Sequence, residues 1–254
     1  MSGFPRISAA LARYRMEDQA VAVAWLSFDD PDSMIAAHDP DGKVSPLIGF
    51  DTLPMRGTDL LTAVAGIDEN GPRLVANYRL AFPDLTAAIE SFDPGVGAVS
   101  SSAPGWLFAA ASLLIGMEEA DVTAAMAPEP EAVEVDTFVA PGARGYSLEG
   151  ARLLRSVMSY RLAGVERHVL ARSIFVSLGN FVGTAMVRLL KEWQPRAIVC
   201  AGDLFAQNRI LRDQARSALT TVRVPTYFPS LEDPDNALVA EEELLSIRVG
   251  PRSG

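Results

Sequence analysis

The stretch Gln194–Gln214 reads Gln-Pro-Arg-Ala-Ile-Val-Cys-Ala-Gly-Asp-Leu-Phe-Ala-Gln-Asn-Arg-Ile-Leu-Arg-Asp-Gln and contains the clearest secondary-structure signals of the chain. Pro195 ends a long segment of helical period, because proline cannot continue the helical hydrogen-bond ladder. Ala197–Ala201 is a short apolar run with two β-branched residues, which predicts a buried strand. The next two residues break that strand. Apolar residues then recur at helical spacing over 206–219, which predicts a helix.

A buried strand, a glycine turn and a helix start together form a common binding place for phosphate or another anion. Many α/β proteins have the same turn for purely structural reasons, and that interpretation stays open. Asp203 lies in the turn, and its carboxylate repels an anion unless a metal or a base intervenes.

The composition predicts a folded chain with a sizeable core. Of the 254 residues, 49 % are hydrophobic and 21 % are charged, and the formal net charge is -10. The length suits one large domain or two lobes. The negative charge argues against a nucleic-acid partner, which would require a basic face. A composition change near Pro104 and Gly105 predicts an N-terminal α/β lobe over 1–104 and a C-terminal α/β lobe over 105–254.

Few residues are suited to metal or thiol chemistry. Cys200 is the only cysteine, and its place in an apolar strand favours a buried structural thiol over a nucleophile. His38 and His168 are the only histidines, too few for a histidine-rich metal site. No segment is judged long enough to span a membrane, and no signal peptide is recognised, so a cytoplasmic protein without a membrane partner is expected.

Periodicity gives a coarse secondary structure. From Leu148 the order helix, helix, strand, helix, strand, helix predicts an α/β lobe. We interpret 127–145 as a surface loop or a mobile lid. The other predicted elements are a helix over Ile7–Met16, a strand over Ala20–Phe28, a helical turn over Ser33–Ala37, a strand over Leu47–Phe50, a helix over Thr58–Ala65 capped by Thr58, a strand over Arg73–Leu80, a long buried helix over Val165–Trp193, an edge strand over Val222–Phe228 and a closing helix over Asn236–Leu245.

Two segments, Ala201–Arg209 and Pro234–Ala240, resemble the C-terminal, Kae-type portion of carbamoyltransferases, above all the hydrogenase maturation carbamoyltransferase. In that family a Ser-Gly-Gly-Val-Phe-Gln-Asn-Arg turn follows a buried strand, and a later Asn-Asp-Gly-Gly or Asp-Asn-Gly segment opens the last helix. The resemblance covers about 147–245. It implies the two-lobed actin/heat-shock-ATPase/sugar-kinase-like α/β superfold, with nucleotide in the cleft between the lobes.

The resemblance also implies a set of site residues. ATP and Mg²⁺ are the candidate cofactors, and no catalytic residue is assigned. Asp235 matches the family's metal-binding aspartate, and with Asp203 it would offer two carboxylates, which suit Mg²⁺. The candidate nucleotide-binding residues are Gly202, Asp203, Gln207, Asn208, Asp235 and Asn236.

The departures from the family decide the functional expectation. Asp203 replaces the second glycine of the family's turn, and nothing matches its His-x-x-x-His metal pair. The family's acylphosphatase and zinc-finger-like modules have no counterpart in these 254 residues. We therefore expect a degenerate, stand-alone relative, a pseudoenzyme that assists nickel–iron hydrogenase or other metalloenzyme maturation with a protein partner.

Two alternatives remain. The first is an active ATP-dependent carbamoyl or adenylyl transferase that acts on a protein acceptor, with a cation to neutralise charge. The second is a structural subunit whose fold only supports homo-oligomerisation, because a fold does not fix a function.

Overall fold

The computed structural model describes residues 4–95, 100–117 and 131–229. These residues form a mixed α/β structure, as predicted. In chain order the elements are α1 (Pro5–Arg13), β1 (Val21–Trp25), β2 (Met34–His38), β3 (Val44–Phe50), α2 (Gly57–Ala65), α3 (Gly71–Ala81), α4 (Pro83–Ser91), α5 (Pro104–Ile115), β4 (Val139–Gly142), β5 (Gly145–Leu148), α6 (Gly150–Leu162), α7 (Arg167–Trp193), β6 (Ala197–Ala201), α8 (Asp203–Gln207), α9 (Arg209–Ala218) and β7 (Thr226–Tyr227).

Strand β6 is confirmed with the predicted bounds, and all five of its residues are buried. It pairs in parallel with β1, where Val21 lies opposite Ala197, and in parallel with β7 on its other side. The strand order here is β3-β2-β1-β6-β7, so that among the described residues β7 lies at an edge, as predicted. Strand β7 has only two residues, because Pro225 before it has no N–H to donate.

The chain divides into two compact units. The strand unit contains α1, β1, β2, most of β3, α7 from Leu178 onward, and β6 to β7 with their helices. The helical unit contains 50–177 with the short segment Phe28–Pro31. This division differs from the boundary after residue 104 that composition predicts, because β1 pairs with β6 from the other end of the chain. The two-lobed actin-like superfold stays a prediction.

One hydrophobic cluster of the strand unit lies on one face of its sheet, and β1 and β6 are buried on both faces. Alternate residues of β1 and β6, such as Val23 and Val199, point to this face, as the two-residue period of a strand requires. Helix α1 contributes Ile7 and Leu11 to the same cluster, each 1 % exposed. Burial of these apolar side chains is the main force that holds α1 on the sheet.

The helical unit is built around α6, which packs against α2, α3 and α5. Helix α3 corrects the prediction of a strand over Arg73–Leu80. Pro72 stands in the first turn, where its fixed φ suits a helix start. Val75 and Tyr78, three residues apart, are buried on one face, and the Tyr78 hydroxyl donates to the carbonyl of Leu114. Leu80, which the strand pattern also used, is 82 % exposed.

Two shorter predictions are also wrong. Ser33–Ala37 is predicted as a helical turn, but Met34–His38 is strand β2, because β1 and β3 pair with it on both sides. Thr58 is not the N-cap of α2, since the helix begins at Gly57 and Arg56 takes the cap position.

The described part of 127–145 is more ordered than a plain loop. Val139–Gly142 and Gly145–Leu148 form an antiparallel hairpin. Before it, the hydroxyls of Ser173 and Ser177 on α7 each accept a hydrogen bond at 2.9 Å, from the backbone N–H of Val133 and Val135 respectively. These two bonds fix residues 133–135 along the helix.

Helix α7 corrects the statement that no segment is long enough to cross a membrane. Its 27 residues are long and apolar enough to cross a membrane, judged by length and composition only. Half of its most apolar 18-residue stretch is buried inside the protein. A core helix of a soluble protein has the same properties, and residues such as Leu170, Ile174 and Leu178 are fully buried. The prediction of a long and mostly buried helix is confirmed in its central part.

Candidate functional site

Gly202 links β6 to the short helix α8 and is tied to the backbone of Leu26. Its φ of +104° and ψ of 160° belong to a region that only glycine adopts readily. A Cβ atom at this position would lie 2.0 Å from the carbonyl oxygen of Leu26. Leu204 N–H donates to the same oxygen at 3.2 Å. Gly202 is therefore required by the close approach of two backbone segments.

Asp203 and Gln207 are the first and last residues of α8. Asp203 is partly buried and Gln207 is exposed. The intervening residues Leu204, Phe205 and Ala206 are buried and anchor this short helix in the core. The segment thus forms a single short helix, and the two polar residues lie at its ends.

Asn208 separates α8 from α9 and caps the second helix. Its side-chain oxygen accepts a hydrogen bond from Leu211 N–H at 2.9 Å, and the residue is 7 % exposed. Asparagine is among the best residues for this position, because it satisfies an N–H that has no partner within the helix. The side-chain oxygen predicted to bind nucleotide is thus engaged in holding α9.

The structure therefore describes only part of the predicted site. The turn Gly202–Asn208 brings four of the predicted residues together. Asp235 and Asn236, and with them the Asp203–Asp235 pair proposed for Mg²⁺ and the predicted closing helix, lie outside the described residues.

Sequence reasoning missed two arginines on α9. Arg212 is 5 % exposed, and its Nη1 lies 3.5 Å from the carbonyl oxygen of Pro229. Burial lowers the pKa of Arg212, the charge of Asp213 raises it, and the charge of Arg216 lowers it further. The Arg216 guanidinium lies 5.4 Å from the centre of the Phe228 ring. The signal in the sequence was two arginines four residues apart on an otherwise amphipathic helix.

The histidines and the cysteine take part in local structure. His38 is buried, with Nδ1 3.0 Å from the carbonyl oxygen of Gln19, and His168 lies 3.2 Å from the carboxylate of Glu166. Burial raises the pKa of the Cys200 thiol strongly, as expected for a structural cysteine. Within 4–95, 100–117 and 131–229 no group of three or more histidine, cysteine or acidic residues is placed to hold a metal ion.

Asp51, in the helical unit, caps a helix that begins 99 residues later. Its Oδ1 accepts a hydrogen bond from Gly150 N–H at 2.9 Å at the start of α6. Burial raises the pKa of Asp51, the hydrogen bond from Gly150 lowers it, and the nearby Glu149 raises it.

Comparison with known proteins gives a sequence relative and several solved structures of similar fold. No family model matches the chain. Protein HydE of Wolinella succinogenes is 25 % identical over 173 residues, which cover 63 % of this chain and 31 % of HydE. The full-length HypF crystal structure in its phosphate- and nucleotide-bound form matches with a TM-score of 0.62 at 17 % identity, over 87 % of this chain and 32 % of that one. HypF of T. kodakarensis matches with a TM-score of 0.63 at 14 % identity, over 93 % and 35 %.

These matches establish a fold shared with part of HypF. The chain spans about a third of the length of the proteins that it matches. The assignment of the matched part to the Kae-type portion stays a prediction.

Proposed function

We propose that this chain is a HypF-like accessory or assembly factor in the maturation of a hydrogenase or another metalloenzyme, and that it acts on or with a protein partner. HypF is a hydrogenase maturation carbamoyltransferase, the family that the sequence resembles. The similarity to HydE over 173 residues points the same way.

One observation favours the accessory function over catalysis. The turn that binds nucleotide in the proposed relatives is engaged in internal contacts here. Gly202 packs against the Leu26 backbone, and the Asn208 side chain caps α9. Asp203 adds a carboxylate where the family has a glycine. These features support a turn that has kept its fold and lost its ligand.

The second candidate is an active ATP-dependent carbamoyl or adenylyl transferase. It is favoured by the nucleotide and phosphate bound in the HypF neighbour. In this version Asp203 and Asp235 together hold Mg²⁺, and the bound cation neutralises the phosphates.

Substitution of Asp203 by glycine separates the two candidates. A like-charge contact at about 4 Å costs on the order of 4 kcal/mol at an effective dielectric near 20, close to a thousandfold in affinity. If the chain is an accessory factor, the native protein does not bind ATP, and Asp203→Gly gains binding. If it is a transferase, the native protein binds ATP with Mg²⁺, and Asp203→Gly loses that binding.

The measurement is calorimetric titration of both proteins with ATP, with and without Mg²⁺. Glu192→Gln, which removes one exposed carboxylate on α7, is the control for a change in net charge alone. Mg²⁺-dependent ATP binding by the native protein would contradict the accessory function. Absence of binding by both proteins would contradict both versions of the nucleotide site, and the turn would then be a scaffold.

A further inference from the structure

Two arginines on α9 lie on one face of the helix. Arg212 and Arg216 are four residues apart, the spacing that places side chains next to each other. Arg212 is 5 % exposed, and Arg216 is partly buried. Two like charges at this spacing repel each other. Burial of both guanidinium groups therefore requires hydrogen bonds or opposite charges that offset the cost.

The guanidinium groups have donors without acceptors. The Nε of Arg212 and both Nε and Nη2 of Arg216 are buried and have no hydrogen-bond partner. In Arg216 the two atoms form one edge of the guanidinium, the edge that binds two oxygens of a phosphate or a carboxylate at once. Buried polar groups in proteins are nearly always hydrogen-bonded, so three such donors in one place require an explanation.

The one acidic residue of helix α9 already has a partner. Helix α9 carries three arginines and one aspartate. That aspartate, Asp213, accepts from Arg209 Nε at 3.1 Å, and Arg212 Nη2 lies farther away, at 3.6 Å. Among the described residues no carboxylate forms an ion pair with Arg216. The helix is thus locally basic in a chain whose net charge is -10.

The pair also lies where α/β folds place their ligands. Helix α9 follows the carboxyl end of β6, and Phe228 and Pro229 follow the carboxyl end of the parallel strand β7. Arg212 contacts the Pro229 carbonyl, and Arg216 lies over the Phe228 ring. In open α/β sheets, ligands bind outside the carboxyl ends of the strands.

We propose that Arg212 and Arg216 form a binding site for a phosphate group, with Arg216 as the bidentate ligand. Phosphate fits better than a single carboxylate, because its several oxygens can accept from both arginines and its charge matches theirs. The group can come from inorganic phosphate or from a nucleotide. The inference does not depend on the proposed function. The variant that tests the proposed function, Asp203→Gly, keeps both arginines, so the two tests can fail separately.

The test uses calorimetric titration of the full chain with inorganic phosphate. Arg216→Lys keeps the charge but removes the bidentate edge, and Arg216→Gln removes both. We expect each to weaken phosphate binding by at least about tenfold, as loss of a charge-assisted bidentate pair predicts. The matched control is Arg188→Gln, which removes an exposed arginine from α7 and should leave the affinity unchanged.

Stabilisation by phosphate in a thermal-shift series checks that each variant is folded and measures the same binding independently. If ATP displaces phosphate, the site takes a nucleotide phosphate, and if it does not, the site takes the free ion. Absence of phosphate binding by the native chain, or equal binding by native, Arg216→Lys and Arg188→Gln proteins, would overturn the proposal.

Discussion

Gly202 combines two constraints at one residue, a positive φ and a contact with the Leu26 carbonyl. The glycine was predicted from the sequence as a turn residue near an anion. Its close approach to Leu26 could not be predicted, since it depends on the parallel pairing of β1 with β6.

We expect Gly202→Ala to destabilise the protein by on the order of 3 kcal/mol, the sum of backbone strain and a steric clash. The measurement is the free energy of unfolding in urea. Gly42→Ala is the matched control, because Gly42 also has a positive φ but no heavy atom within 4 Å of an added Cβ. Its cost should be only about 1 kcal/mol. Equal losses for the two variants would show that the Leu26 contact does not matter.

Asp51 gives a pH dependence whose sign follows from its raised pKa. The carboxyl binds a proton more tightly in the folded protein than in the unfolded chain. Its contribution to stability is therefore fully present below the unfolded pKa and is lost as the pH rises through the folded pKa. Asp51→Asn keeps an oxygen that can accept from Gly150 N–H and removes the titration.

We therefore expect the native protein to gain stability relative to Asp51→Asn as the pH falls from 7 to 4. Chemical unfolding of both proteins across this range checks it. Stability curves that run parallel, or a native protein that loses stability relative to Asp51→Asn on acidification, would contradict a raised pKa of Asp51.

At the scale of elements, α7 and α9 approach closely because α7 has glycines at two positions. A Cβ on Gly179 would lie 2.5 Å from the Leu211 carbonyl oxygen, and one on Gly183 would lie 2.4 Å from the Ala218 Cβ. The two glycines are four residues apart and so lie on the same face of α7. They allow the helices to pack at short range.

We expect Gly179→Ala and Gly183→Ala each to destabilise the protein by about 1–3 kcal/mol, the usual cost of overpacking. Thermal and urea unfolding measure the effect. Gly49→Ala provides the control, because an added Cβ there meets nothing within 4 Å. A Gly179→Ala protein as stable as the Gly49→Ala protein would argue against close packing of the two helices.

Prediction of elements succeeded where one signal dominated. β6 has an apolar run between breakers, and its bounds are predicted correctly. Arg73–Leu80 alternates like a strand, but Pro72 begins a helix there. Met34–His38 became a strand through its two neighbours in the sheet. Local patterns do not contain this information, because pairing partners are distant in the sequence.

The same limit applies to the site. The turn at Gly202 was predicted because its residues are consecutive. The buried position of Arg212 was not, since Pro229, whose carbonyl oxygen lies 3.5 Å from Arg212 Nη1, is brought beside α9 only by the fold. The residue type alone does not distinguish a buried arginine from an exposed one.

For the whole molecule, we expect protein purified without chelator to contain no stoichiometric zinc or iron. The reason is the missing histidine pair, and His38 and His168 each have a local partner. Elemental analysis of the purified chain checks this. About one zinc or iron per chain that disappears in Asp235→Ala would overturn the expectation, whereas metal kept in that variant would indicate a different site.

The parallel pairing of β1 with β6 has a consequence for biosynthesis. Val21 and Ala197 are partners although they are 176 positions apart (197 − 21). At about 5–20 residues per second, the ribosome needs on the order of ten to thirty seconds to make the intervening chain. During that time the β1 edge of the nascent hairpin has no neighbour and can pair with other chains. Nascent chains of this protein should therefore depend on chaperones until β6 emerges from the ribosome.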